Sequence, residues 1–285
     1  MIKGTIENTE FKWGDIDKEC QKEQSSNADI VGTCNYSWIN IKWNRNADCL
    51  LPLPDSLNNG FVAQQSCNFC SNLTTIDRVE KLSSKEFVVK YAYTKVPVII
   101  TDAMINWTAR HIYSYNYFKQ LYIDSPSNRM NCQFFPYKTE FRSLKQVFHM
   151  NPQRAAWNGS NLNPWYIGWS NCDYRVANEL RRHYQKPYFL PNDSEPIRTD
   201  WIFMGTPNNG AHMHIDHVGR PSWQAQVRGH KRWFLQPPPE CYQNCIDHIV
   251  DVNHGDIIVL DTNVWYHSTL IIGNDISITI GAEYD

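Results

Sequence analysis

His214-Ile-Asp216 sets an imidazole and a carboxylate two residues apart, and His267 follows 51 residues after Asp216. On a strand, residues i and i+2 point to the same face. Two histidines and one carboxylate on neighbouring strands bind one side of an octahedral metal. Three positions then stay open for a bidentate co-substrate and O2, an arrangement suited to non-haem Fe(II). The same residues also read as a surface histidine and a turn aspartate, because a chain with 10 His meets His-X-Asp easily. Lys231, in Arg228-Gly-His-Lys-Arg-Trp-Phe234, opens an apolar strand. A lysine inside a barrel is costly unless an anion pairs with it. A dicarboxylate held at one end by the metal would bring its other carboxylate there. Lys231 reads equally well as one more exposed charge beside Arg228 and Arg232.

These residues need a β framework. From Asp200 onward short strands follow one another: residues 201–204, 222–227, 232–235, 256–260 and 276–280. Pro207-Asn-Asn-Gly210, Pro237-Pro-Pro239 and Gly273-Asn-Asp275 punctuate them, the texture of a sandwich or barrel. Upstream, residues 87–93 and 96–101 read as strands, and 115–122 and 176–184 as short helices. Residues 1–85 are polar and poorly periodic and read as a cysteine-bearing wrapping segment, with the main domain over 86–285. The sequence carries neither a Gly-rich phosphate loop nor a Gly-X-Ser-X-Gly elbow.

The 285 residues are 42% hydrophobic and 20% charged, enough for a packed core, and 13% aromatic with 11 Trp, which suits a β-rich interior. A net charge of −2 supplies no electrostatic footprint for nucleic acid. Apolar runs fall far short of the ~20 residues of a bilayer span.

Nine cysteines bear on the compartment. Cys67-Asn-Phe-Cys70 and Cys241-Tyr-Gln-Asn-Cys245 read either as local disulfides or as two halves of a zinc site. Five glycosylation sequons start at Asn35, Asn72, Asn106, Asn158 and Asn192. Cysteines and sequons together suggest a disulfide-bonded glycoprotein of the secretory pathway or the extracellular space. Against that, Met1 opens on Ile-Lys-Gly-Thr with no apolar leader, so either a leader has been removed from this sequence or the chain is cytoplasmic or nuclear.

Trp201-Ile-Phe-Met-Gly205, Gly210-Ala-His-Met-His-Ile-Asp216 and Ser222-Trp-Gln-Ala-Gln-Val-Arg-Gly-His-Lys-Arg-Trp233 resemble the core of JmjC-domain 2-oxoglutarate oxygenases. The likeness is strongest to the lysyl-hydroxylase branch. Val96-Pro-Val-Ile-Ile100, Trp165-Tyr-Ile-Gly-Trp169 and Ile276-Ser-Ile-Thr-Ile280 extend it over roughly 86–285. The resemblance implies a mainly β fold with flanking helices, a double-stranded β-helix (jelly-roll, cupin-like) core. It also implies a dioxygenase that uses Fe(II), 2-oxoglutarate and O2 to hydroxylate a protein side chain. His214, Asp216 and His267 would hold the iron. Lys231 would pair with the distal carboxylate of 2-oxoglutarate, and Thr279 and Tyr166 would hydrogen-bond it. Trp223 and Gln224 would face co-substrate and target.

The departures are Ala211, where the family usually has a threonine, His254-Gly255 for a Pro-Gly, and Asp261-Thr262-Asn263 for a Pro-Gly-Gly. The further histidines His212, His217 and His230 read as hydrogen-bonded or solvent-facing residues, though His212 shares parity with His214 and Asp216 and could reach the slot that Ala211 leaves. The competing readings are a catalytically silent JmjC-fold module, an N-methyl demethylase, and a zinc scaffold built on Cys67, Cys70, Cys241 and Cys245.

Overall fold

The computed structural model describes residues 66–123, 133–194 and 199–285, together with the backbone of five strands nearer the N-terminus. The chain divides into two compact units, Met1–Gln64 and Gln65–Asp285. In the first, β1 (Thr5–Ile6) pairs with β2 (Thr9–Glu10), and β3 (Cys20–Gln24), β4 (Ile30–Tyr36) and β5 (Ile39–Asn44) form an antiparallel meander. Its register sets Cys20 opposite Cys34. Cys49 and Cys132 lie outside the described residues, as does the side chain of Asn35.

The second unit is a double-stranded β-helix. Its strands are β6 (Asp77–Val79), β7 (Val98–Ile100), β8 (Gln133–Phe135), β9 (Tyr166–Ser170), β10 (Trp201–Gly205) and β11 (Ser222–Arg228). They continue as β12 (His230–Gln236), β13 (His248–Val252), β14 (Ile257–Leu260), β15 (Tyr266–Ile272) and β16 (Ser277–Glu283). The large sheet runs β6-β7-β14-β11-β16-β10-β9-β8, and the small one β13-β12-β15. Helices α1 (Ser84–Phe87), α2 (Ala109–Ile112), α3 (Tyr115–Ile123), α4 (Leu144–Phe148), α5 (Pro152–Ala155) and α6 (Tyr174–Leu180) complete the unit.

Strand parity sorts the large sheet into two chemistries. Ile167 and Trp169, Ile202 and Met204, and Ile278 and Ile280 join one apolar core that includes Phe118, Tyr122 and Phe148 from the helices. The alternate residues, Tyr166, Phe203, Gln226 and Thr279 among them, face the inside of the barrel. One end of that interior is closed by a second apolar cluster containing Ile99, Trp233, Leu235, Leu260 and Trp265. Burying such side chains stabilises by about 1.5–3 kcal/mol each, an upper estimate because the unfolded chain is itself partly collapsed.

Residues 87–93, expected as a strand, are helical: α1 passes into a wider turn at Val88–Ala92. Ser83 caps the start by accepting from the Glu86 N–H, and Phe87 and Tyr91, four residues apart, are the buried positions. The Ser-X-X-Glu cap and the i,i+4 spacing outweigh the β-branched Val88 and Val89. The helix expected over 176–184 runs instead as α6, from an Asp173 cap. Four sequon asparagines, Asn72, Asn106, Asn158 and Asn192, are exposed.

Candidate metal and co-substrate site

His267 lies on β15, and its backbone exchanges both hydrogen bonds with that of His214, at 2.8 and 3.0 Å. The segment carrying His214 and Asp216 is therefore held against β15, although it is not the regular strand expected from its spacing. Thr269 N–H donates to Ala211 and His267 N–H to His214, so three steps on one side face two on the other. This bulge-like offset breaks the parity between residues 211 and 214. It corrects the expectation for His212, which is exposed, its ring 6.3 Å from Tyr137 and 5.7 Å from His214. Gly210 is required here, because a Cβ would stand 1.8 Å from the Thr269 carbonyl oxygen.

The three candidate ligands converge. Nε2 of His214 lies 3.5 Å from one Asp216 oxygen and Nε2 of His267 lies 3.8 Å from the other. A donor atom from each of the three fits within 4.8 Å of the other two. The opposite nitrogens are committed: Nδ1 of His214 is 2.7 Å from the His212 carbonyl, and Nδ1 of His267 is 3.0 Å from that of Trp265. A carbonyl only accepts, so each Nδ1 carries a proton and each ring turns its Nε2 toward the cluster. Burial, reinforced by His214, lowers His267 to about 4, which keeps it neutral and ready to ligate. Burial opposes the charges on His214 and Asp216 as well. Their mutual hydrogen bonding nonetheless raises the imidazole and lowers the carboxyl.

Across the interior, Lys231 on β12 is 1% exposed. Its Nζ donates to the Tyr166 hydroxyl at 3.2 Å and sits 5.2 and 5.5 Å from the centres of the Tyr166 and Phe203 rings. Among the described residues no carboxylate lies within ion-pair distance of it. Burial lowers its pKa to about 7. A buried amine solvated by one phenol and two rings is an incomplete anion site. Ala211, Ile271 and Tyr166 form a small apolar wall beside it. Gly205 leaves room for that phenol, since a Cβ there would meet Tyr166 Cδ2 at 2.6 Å.

Thr269, which the sequence reading did not single out, brings a further hydroxyl. It accepts from the Ala211 N–H at 3.1 Å and is within hydrogen-bonding reach of Tyr166. The facing strand thus sets a hydroxyl beside position 211, which has none of its own. Its position at i+2 from His267 is the signal that could have found it.

The other named residues are placed as follows. Thr279 is on the interior face, its hydroxyl donating to Gln226 Oε1 at 3.0 Å. Gln224 shares that face, half-buried, opposite Gly281. Trp223 points to the other side of β11 and packs against Trp107 and Tyr184, 6.0 and 6.2 Å between ring centres. It is not brought to the His–Asp–His cluster. Glu283, on the interior face of β16, accepts from Trp201 Nε1 at 2.7 Å. Burial raises its pKa, and the Asp216 charge adds to the rise.

No family model matches the chain. It is similar to the bifunctional arginine demethylase and lysyl-hydroxylase psr-1 of Caenorhabditis elegans, 27% identical over 174 residues, which are 58% of this chain and 42% of that protein. The lysine-specific demethylase JMJ21 of Arabidopsis thaliana is 24% identical over 193 residues, 65% of this chain and 19% of the relative. The 2-oxoglutarate and iron-dependent oxygenase JMJD4 homolog of Drosophila melanogaster is 22% identical over 210 residues, 58% of this chain and 49% of the relative. In each case the chain spans less than half the length of the relative.

Proposed function

We propose that this chain, a relative of the JmjC oxygenases, is an Fe(II)- and 2-oxoglutarate-dependent dioxygenase that hydroxylates a protein or peptide side chain, lysyl hydroxylation before others. The observation that carries the reading is the pairing of two features inside one barrel. One is a His–Asp–His cluster whose Nδ1 protons are already committed; the other is a buried lysine with no carboxylate at ion-pair distance among the described residues.

The donor set fits the metal. His214, Asp216 and His267 are two neutral imidazoles and one carboxylate, the facial triad that suits Fe(II). When bound, iron with 2-oxoglutarate and O2 supplies the oxidising chemistry, and the co-substrate leaves as succinate and CO2. The chain's own work is binding and orientation. The His212 and Trp265 carbonyls hold the two rings in the ligating tautomer. The Lys231 ammonium pairs with the distal carboxylate, with the Tyr166 and Thr269 hydroxyls as donors beside it. Ala211 and Ile271 keep water from that end. The buried carboxylate of Glu283, within electrostatic reach of Asp216, favours a cationic target side chain such as lysine.

The test is spectroscopic. Anaerobic protein receives Fe(II) and then 2-oxoglutarate, with His214→Ala as control. A metal-to-ligand charge-transfer band confined to the unmutated chain is expected; its absence at saturating co-substrate rejects the oxygenase reading and leaves a silent JmjC-fold module. Demethylation is the second reading, favoured by the names of two of the relatives. It uses the same chemistry on an N-methyl carbon, and formaldehyde released from methylated peptides distinguishes it from a hydroxylated product.

A further inference from the structure

A second convergent ligand set lies at the closed end of the barrel. Cys67 and Cys70 bracket a single 3-10 turn, in which the Cys70 and Ser71 N–H groups donate to the Cys67 carbonyl at 3.1 and 3.0 Å. Cys241 ends another, and the Asn244 and Cys245 N–H groups donate to its carbonyl at 2.9 and 3.0 Å. Each cysteine pair is thereby folded into a tight loop with both sulfurs on one side. The sulfurs bond across the loops and not within them: Cys67 to Cys241 and Cys70 to Cys245, with Cα atoms 5.5 and 5.4 Å apart. This excludes the two local disulfides that the spacing allowed.

Crossed pairing has a geometric consequence. Two local bridges would keep the loops independent, whereas crossed bridges bring three of the sulfurs together and tie the fourth, that of Cys67, to Cys241. The Sγ atoms of Cys70, Cys241 and Cys245 lie within 4.8 Å of one another, and all three residues are buried. In a tetrahedral zinc thiolate the Zn–S distance is about 2.3 Å, which places the sulfurs about 3.8 Å apart. The loops already hold three of the sulfurs near this scale, and Cys67, bonded to Cys241, is the fourth that would turn in to close the tetrahedron. The spacings Cys-X2-Cys and Cys-X3-Cys on two short loops are those of structural zinc sites.

We propose that Cys67, Cys70, Cys241 and Cys245 are one zinc site in the reduced chain, exchanged for two disulfides on oxidation. In the reduced state the four thiols release four protons and hold one Zn2+ as a tetrathiolate. Two molecules of a small disulfide oxidant accept four electrons and become four thiolates. The Cys67–Cys241 and Cys70–Cys245 bonds form, and Zn2+ leaves. A thiol reductant reverses each step. Both states tie the loop at residue 67 to the β12–β13 connection more than 170 residues later. Phe69, between the first two cysteines, packs edge-on against Trp265 at 5.6 Å, and the Trp265 carbonyl orients His267. Either closure therefore supports the ligand strand, in an oxidising or a reducing compartment. The inference does not depend on the oxygenase reading.

The test uses the full chain carrying His214→Ala, which weakens the other metal cluster. The protein is reduced, stripped with chelator, given Zn2+ and desalted; bound zinc and alkylation of each cysteine are then measured. One equivalent of zinc is expected, with Cys67, Cys70, Cys241 and Cys245 protected and Cys172 and the remaining cysteines not. Oxidised glutathione should release that zinc and restore the two crossed disulfides, seen by peptide mapping. Cys245→Ser should retain less than a tenth of an equivalent. Co2+ added to the reduced, otherwise unmutated cysteine set provides a reading that needs no cysteine variant, through the absorption of tetrahedral cobalt thiolate. No bound zinc, no such band, or protection confined to other cysteines would overturn the proposal.

Discussion

The two faces of the large sheet are made by the same strands and do opposite work. On β16, Ile278 and Ile280 join the apolar core shared with the helices, while Thr279 and Glu283 face the barrel interior. On β10, Ile202 and Met204 alternate with Phe203, whose ring lies beside Lys231. One face is apolar and stabilises the fold. The other carries hydroxyls, amides, a carboxylate and, across from it, a buried amine that costs the fold stability. A half-turn about each strand separates packing from chemistry, so substitutions one residue apart should fail in different ways.

The largest contrast is between Asp216→Ala and Ile280→Ala. Removing the carboxylate ligand should cut 2-oxoglutarate turnover by about 1,000-fold or more with little change in unfolding midpoint. Ile280→Ala should cost about 2–5 kcal/mol of stability yet keep the charge-transfer band below its lowered midpoint. A band lost with Ile280→Ala at full folding would break the separation. Next is Lys231→Met. It should weaken 2-oxoglutarate binding about 100-fold while raising stability by about 1–3 kcal/mol, since a buried charge is exchanged for a shape-matched apolar chain. Calorimetry and denaturant titration read the two effects separately.

Acidity offers a smaller and reversible handle. With Lys231 near 7 in the free site, the ammonium is present below that pH and 2-oxoglutarate affinity is at its full value there. Above pH 7 affinity should fall about tenfold per unit, until the pH passes the higher pKa that the bound carboxylate imposes. For folding the sign is opposite: the amine is lowered from 10.5, so the stability it withholds grows as pH falls from 10.5 to 7 and is complete below. A flat affinity profile between pH 7 and 9 would show that Lys231 is not the anion's partner. The smallest expected effect is Thr269→Val, about three- to tenfold weaker 2-oxoglutarate binding, since one hydrogen bond is worth about 0.5–1.5 kcal/mol. Ala211→Thr in that background should restore part of it, if the two positions serve the same hydroxyl slot.

Much of the framework could be read along the chain because strand signals are local. Alternation and β-branched runs marked β10, β11, β12, β14 and β16, and proline and glycine clusters marked their ends. The helical stretch from α1 through Val88–Ala92 reads as a strand from its two valines, although Ser83 and Glu86 carry the cap. The spacing of His214 and Asp216 named a candidate cluster for a reason that did not survive: the segment is no regular strand, and the bridge to His267 brings the three side chains together.

What the sequence by itself determined is the list of chemical groups and their order: two histidines, an aspartate, a lysine, and cysteines in two close pairs. Those are local properties, written in residue type and short spacing. Only the tertiary structure decided that Trp223 faces the helices, that His212 turns outward, and that Thr269 stands where position 211 lacks a hydroxyl. It also decided that the cysteines cross between loops. Each of these depends on register, and a single-residue offset such as the one between Ala211 and His214 reverses which side a side chain faces. Register is set by hydrogen bonds between segments far apart in the chain, as between His214 and His267, which no local pattern records.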